Sequence, residues 1–337
     1  MNLQKSVRSL RNSNKHILDS FPAYQEEATI YYMKQNTNFK IILAFAAIYI
    51  IWGTTYLAVR IGLETIPPFL MASMRYILAG LILLAYCFFR GEPIFSGKPL
   101  QKMLLGAFIL TLGQAVLFWC EKYISSGLTS VFGSTLPIWY IVADRRNWKN
   151  YFTSNLTLFS IALGLFGIII LFIHPAESGT ADHNAGFMAI VASVAAIASC
   201  LCWAAGSLYY NYQKKSGSLF ENVGWQLMGG TISCFIVSSL SGEWKHFSFS
   251  AVSWSGWLAT LYLAIAGSIV AISALFWLLA RRPAPIVGTY AYINPVIAVL
   301  LGYFIAKETI SVTQVIGMVI ILIAAWLANS VKFQSAE

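Results

Sequence analysis

The 337-residue chain is 58% hydrophobic and only 10% charged, so a soluble domain of this composition would lack the polar surface to cover itself. That excludes an ordinary water-soluble enzyme or binding module. The net charge of +9 does not point to nucleic acid either, because the Lys and Arg residues sit on alternate loops between apolar runs, and this placement accounts for them.

Residues 1–40 are polar and mixed in charge, with no secretory signal, and read as a short cytoplasmic tail without regular structure. Met33-Lys34 directly precede the first apolar run, which makes Met33 an alternative start. Ten apolar runs follow, near 41–61, 67–89, 103–121, 123–143, 155–173, 186–210, 223–240, 256–280, 284–306 and 311–330. Each is close to the roughly twenty residues that a helix needs to cross a hydrocarbon core about 30 Å thick. They are apolar all round instead of alternating, which favours helices over barrel strands. The predicted fold class is an all-α integral membrane protein with ten transmembrane helices.

With ten spans, seventeen Lys and Arg fall on the side of the N-terminus, among them Arg90, Lys98, Arg145, Arg146, Lys214, Lys215, Arg281 and Arg282. The other side receives only Arg60, Lys122, Lys245 and Lys307. The positive-inside bias therefore predicts both termini in the cytoplasm.

The chain also repeats itself. Phe118-Trp119…Pro137 and Phe276-Trp277…Pro295 share one offset of 158 residues. This gives a first repeat over 41–175 and a second over 186–330. Five spans per repeat is an odd number, so the second repeat enters the membrane in the opposite sense. Inverted repeats supply two equivalent packings, one open to each side, with a site near the midplane. That is a carrier's architecture, and no run resembles a selectivity loop or a ring of charges.

Several motifs carry a family resemblance: Ile51-Trp52-Gly53-Thr54-Thr55-Tyr56-Leu57-Ala58, Arg75-Tyr76-Ile77-Leu78-Ala79-Gly80, Tyr123-Ile124-Ser125-Ser126-Gly127-Leu128-Thr129-Ser130, and Asn294-Pro295 through Gly302, Glu308 and Gly317. In order and spacing, from about residue 40 to 330, they resemble EamA-type members of the drug/metabolite transporter superfamily. The resemblance implies two EamA repeats and export of a small metabolite such as an amino acid across the bacterial inner membrane. Efflux of drugs or toxic compounds, or a non-transporting receptor or scaffold, are the alternatives. One departure stands out: Glu308 lies thirteen residues after Pro295, whereas Asn150 holds the matching place after Pro137.

Polar groups in a span turn toward the bundle interior or a cavity. The candidate substrate-binding residues are Trp52, Thr55, Tyr56, Gln114, Ser134, Trp203, Ser207, Ser273, Trp277, Tyr290 and Asn294, with Thr54, Thr135, Thr289 and Tyr292 beside them. Pro137 and Pro295 read as paired hinges. Against this, Ser and Thr in spans often bond their own helix, and Trp119 and Trp277 suit the headgroup belt. Ala192, Ala196, Cys200 and Ala204 form a small-residue stripe suited to helix packing. Arg75 is expected to satisfy loop carbonyls or a helix C-terminus, with anion binding as the alternative.

The acids Glu64, Glu121, Asp144 and Glu308 all fall at span ends, which argues for a facilitator or weakly coupled exporter over a carboxylate proton relay. His174 and His183 share a loop with Glu177 and Asp182, and read as solvated loop residues, not a metal site. Without a histidine or an acid in mid-span the chain lacks a catalytic set, and no cofactor, metal or nucleic-acid partner is expected. The expected partners are the lipid bilayer and a small-molecule substrate. Reporter fusions at either end should register the cytoplasmic side; an external signal from either would refute the topology.

Overall fold

The computed structural model describes residues 22–124, 126–171, 183–306 and 312–330. Ser125, His174, Glu177, Asp182, Lys307 and Glu308 lie outside the described residues. Every regular element among the described residues is helical. The larger of two compact units, Phe45–Glu337, builds the bundle, and Met1–Ala44 form the other.

Helix α1, Pro22–Leu63, begins well before the apolar run at Ile41. Pro22 suits a first helical turn, and the Gln, Glu and Ala residues that follow are good helix formers. The leader expected without regular structure is thus helical from Pro22. Next come α2 (Pro68–Phe89) and α3 (Pro99–Cys120), the latter with a π-helical middle at Ala107–Ala115. Four shorter helices follow: α4 (Ser126–Gly133), α5 (Leu136–Ala143), α6 (Trp148–Thr153) and α7 (Asn155–Leu171). Then come α8 (His183–Tyr212), α9 (Leu219–Leu240) and α10 (Trp254–Leu279), which has its own π-helical segment at Leu263–Val270. A single turn at Ala284–Val287 leads into α11 (Tyr290–Ala306), and α12 (Val312–Ser330) is last.

Seven described helices are long and apolar enough to cross a membrane: α1 from Asn38, α2, α3, α8 from Phe187, α9, α10, and the stretch Ala284–Leu301. The remaining apolar runs fold differently from the uniform spans expected. Arg145–Thr153 and Asn155–Ile170 form one pair bent by 92°, while Leu128–Ala143 and Val315–Ala328 are shorter apolar helices. The run at 123–143 breaks between Gly133 and Leu136, and α5 restarts with Pro137 in its first turn. A proline there lacks the N–H and crowds the carbonyl four residues back, which ends α4. Pro295, by contrast, lies inside α11, and the break on that side falls earlier, at Gly288-Thr289. The two prolines are therefore not equivalent kinks.

The firmest packing joins α9 to α2 and α3. A methyl group on Gly229 would fall 1.9 Å from the Met103 carbonyl oxygen, and one on Gly106 would fall 2.0 Å from that of Gln226. The backbones touch because both residues lack a side chain, the usual basis of close helix approach in lipid. The end of this crossing is pinned by an ion pair, Lys102 Nζ to Glu221 Oε2 at 2.5 Å, with Glu221 fully buried. Lys102 also donates to the carbonyls of Ser96 and Ser216 at 2.7 and 3.1 Å. Breaking such a buried pair typically costs about 3–5 kcal/mol. Elsewhere α7 packs on α12 around Tyr292, Ile168 and Ile321. The stripe on α8 packs as expected: Ala192, Ala196 and Ala204 are fully buried, and Cys120 Sγ lies 3.2 Å from the Ala192 carbonyl.

The basic loops meet at one end of the bundle. Trp225 Nε1 donates to the Ile94 carbonyl at 2.7 Å, Asn211 Nδ2 to that of Leu279 at 2.8 Å, and Asn147 Nδ2 to the Tyr212 hydroxyl at 2.8 Å. At the other end Glu243 accepts the backbone N–H groups of Phe69 and Leu70, at 3.3 and 2.9 Å, and so caps α2. Gly229→Val should lower stability by about 1–3 kcal/mol or more through overpacking, read as a reduced melting temperature in detergent. Leu240→Val, at an exposed position, should change it little.

Candidate functional site

A cavity opens among α1, α2, α3, α4, α5, α8 and α11, with about 620 Å³ of empty space when its mouth is included. Trp52 supplies one wall. Its ring lies 4.4 Å from that of Tyr290 and 5.7 Å from that of Trp203, the latter edge to face. Such tilted contacts between electron-rich faces and positive edges hold aromatic rings in place. Trp52 Nε1 donates to the Gly267 carbonyl at 3.3 Å. Gly267 belongs to the π-helical segment of α10, and Gly113 and Gln114, on the opposite wall, belong to that of α3. Both segments thus lie beside the cavity; π-turns inside helices are frequent at functional sites.

Arg75 reaches the cavity from α2 and is almost fully buried. It bonds neither a loop carbonyl nor a helix end. Its Nη2 donates to Gln114 Oε1 at 2.6 Å, and the same oxygen accepts the Tyr76 hydroxyl at 2.8 Å. The guanidinium also rests 4.7 Å from the Tyr76 ring centroid and 5.0 Å from that of Phe118, a cation–π arrangement. Its Nε is buried with no partner. Trp203 Nε1 and Asn294 Oδ1 are likewise buried and unpartnered among the described residues. Three polar atoms left without partners on the walls of one cavity are what a polar ligand would complete, since buried polar groups are otherwise satisfied.

Seven of the eleven candidate residues line this cavity: Trp52, Thr55, Tyr56, Gln114, Trp203, Tyr290 and Asn294. The other four lie elsewhere. Ser134 bonds the Ser130 and Ala291 carbonyls at 2.8 and 3.2 Å, tying α4 to α11. Ser207 bonds the Trp203 carbonyl at 2.6 Å and meets the Tyr140 hydroxyl at 3.1 Å. Ser273 is buried, with Oγ unpartnered, away from the cavity wall. Trp277 carries the Arg281 guanidinium 4.0 Å above its ring at the basic end. Sequence reasoning passed over Glu121 and kept Arg75 only under the alternative of anion binding, yet both line the cavity. The signal for Arg75 was present, a lone cation deep in an apolar run.

Toward the basic end a buried hydrogen-bond network surrounds Asp144. Asp144 is 2% exposed and accepts the hydroxyls of Tyr151 and Tyr212, at 2.5 and 2.6 Å, and Asn147 Nδ2 at 3.0 Å. Arg146 lies over the Tyr212 ring at 4.6 Å. This network ties the end of α5 to α6 and α8, and its carboxylate bonds are of the stronger, charge-assisted kind.

Comparison with known proteins bears on the family and the fold. The chain resembles the inner membrane transporter YedA of Escherichia coli K12, 33% identical over 293 residues, spanning 86% of this chain and 90% of that one. It is 25% identical to the transporter YoaV of Bacillus subtilis over 289 residues, 84% of this chain and 94% of the other. A solved crystal structure shares the fold with a TM-score of 0.65 at 18% identity, over 86% of this chain and 97% of its own. The model of the EamA-like transporter family matches twice, at residues 39–173 and 190–330. The chain is a membrane protein of the EamA-like transporter family.

Proposed function

We propose that this protein exports a small amino-acid-like metabolite through the cavity by alternating access, in a bacterial inner membrane with both termini cytoplasmic. The observation that carries the reading is the set of unpartnered polar atoms, Arg75 Nε, Trp203 Nε1 and Asn294 Oδ1, on an otherwise aromatic cavity wall. A carboxylate is the natural complement of the Arg75 guanidinium. Asn294 Oδ1 and the Trp52 and Tyr290 faces suit an ammonium group, and the apolar walls suit a hydrocarbon side chain.

The carrier is built, in this reading, from ten crossings in two inverted five-helix repeats, 41–175 and 186–330. The broken pair α4–α5 makes the fourth crossing, the bent pair α6–α7 the fifth, and α12 the tenth. Three packings support it by joining crossings that hold the same place in each repeat: α2 with α9, the fourth crossing with the ninth (α4 on α11 and α5 on the turn Ala284–Val287), and α7 with α12. A two-fold axis in the membrane plane produces such self-paired contacts. The π-helical segment Leu263–Val270, moved back by the 158-residue offset, falls on 105–112 and overlaps the segment Ala107–Ala115. The gathering of the basic loops at one end supports a cytoplasmic placement of that end, and the name of YedA supports the inner membrane.

The cavity runs from Trp52, Trp203 and Tyr290 toward Val59 and Glu121, while the Asp144 network closes the basic end. The conformation is then the outward-facing one, and the network is a seal that must open for the substrate to load from the cytoplasm. Asn294→Leu tests the cavity. Oδ1 makes no bond among the described residues, so its removal leaves no new orphan there, while losing its bond to a charged substrate group should slow exchange of labelled amino acids about tenfold. Wild-type exchange by this variant would remove the cavity from the pathway. Asp144→Asn tests the seal. It weakens charge-assisted bonds by about 1.5–3 kcal/mol and should raise thiol labelling of cysteines placed at the basic end about tenfold or more. Unchanged labelling would mean the network is not the seal.

A further inference from the structure

Glu121 follows the last turn of α3 and is the one carboxyl among the residues lining the cavity. It is 8% exposed, and its Oε2 has no hydrogen-bond partner among the described residues. No described cation lies within ion-pair distance of it. The groups around it come from every side. Tyr56 and Arg60 face it from α1, Arg60 acting on it through space while itself exposed. Arg75 lines the same cavity from α2 with its Nη2 committed to Gln114. Cys200 and Tyr290 line it from α8 and α11, and Cys120 and Lys122 are its chain neighbours. Among these, none gives the carboxylate the hydrogen bonds it would need in place of water. A carboxylate in that position is costly, whereas the neutral acid is tolerated.

We propose that Glu121 is a proton-binding site of the transport cavity, occupied by a proton when the cavity is empty and by the cationic amine of the solute when it is filled. On solute entry the carboxyl O–H breaks, the proton passes to cavity water, and the carboxylate pairs with the ammonium group. On solute release a proton from water returns to the carboxyl. Solute and proton thus compete for one group, the requirement for exchanging one against the other across a membrane. Exporting one zwitterion in exchange for one proton carries one positive charge inward, so both the pH gradient and the membrane voltage would drive the cycle. The sign in pH follows. Solute affinity is greatest where the carboxyl is already ionised and falls about tenfold per pH unit below its pKa.

This rests on the cavity being the substrate site, and the experiment separates the two claims. Infrared difference spectra between acid and alkaline pH, taken on substrate-free protein in nanodiscs, should show a protonated-carboxyl band that titrates. The band should vanish in Glu121→Gln and return, shifted, in Glu121→Asp; its persistence in Glu121→Gln overturns the proposal. In proteoliposomes, exchange of tritiated phenylalanine by the wild type should fall as pH drops, and a pH gradient should drive its accumulation. Glu121→Gln should exchange more slowly, at a rate that is flat across pH, and should accumulate nothing. Accumulation equal to wild type in the variant overturns the coupling. Failure of the wild type to exchange phenylalanine refutes the amino-acid reading, while the infrared band still decides Glu121.

Discussion

The absence of water from the hydrocarbon core governs this structure. Every backbone polar group in the core must find a partner within the protein, which is why the described elements are helices. The same demand falls on side chains. Most hydroxyls in the bundle meet it locally, as when Thr231 bonds the Leu227 carbonyl at 2.9 Å, Ser233 that of Gly229 at 2.9 Å, and Thr260 that of Gly256 at 2.9 Å. Four of the side chains that do not meet it in this way, Arg75, Trp203, Asn294 and Glu121, line one cavity, while others, Ser273 among them, lie away from it. On a cavity wall such atoms remain open to bonds from outside the protein.

Rigidity and irregularity are divided within the bundle. The crossing of α9 with α2 and α3 has backbones in contact at Gly106 and Gly229, with a buried ion pair at its end. Nothing in it can slide without overlap. Around the cavity the helices are broken or widened instead: α4 stops before α5, the turn Ala284–Val287 stops before α11, and α3 and α10 each loosen into π-turns. Two helices with an unbroken face would pack shut. The breaks give the cavity both its space and a place for the helices around it to bend.

The ends of the bundle differ in chemistry as well. The basic end is laced by Asp144, Tyr151, Tyr212 and Asn147, and cations stack on Trp277 and Tyr212. Toward the other end the cavity reaches Glu121, whose carboxyl has no such network. Of these two carboxyls at helix ends, one is held by hydrogen bonds from three side chains and the other has an oxygen with no partner among the described residues.

Composition, the length of the apolar runs and the 158-residue repeat were enough to read a duplicated helical membrane protein, because lipid imposes a length that appears directly in one dimension; the family was legible only through the resemblance of motifs such as Ile51–Ala58 and Arg75–Gly80. Seven of the cavity residues were legible for the same reason, as polar or aromatic side chains in apolar runs. Position along a span was a poor guide for the rest. Ser134, Ser207 and Thr55 look alike in sequence and each donates to a carbonyl, yet only Thr55 lines the cavity. Glu121 looks like a loop acid at a helix end, but neighbouring helices fold over it and take away its water. Pro137 and Pro295 look equivalent, yet only Pro137 lies in the first turn after a break, while Pro295 lies inside its helix. Which polar atom finds a partner depends on the helix beside it, and that neighbour is set by packing, so only the tertiary structure could separate the side chains that hold the bundle from those left open to the cavity.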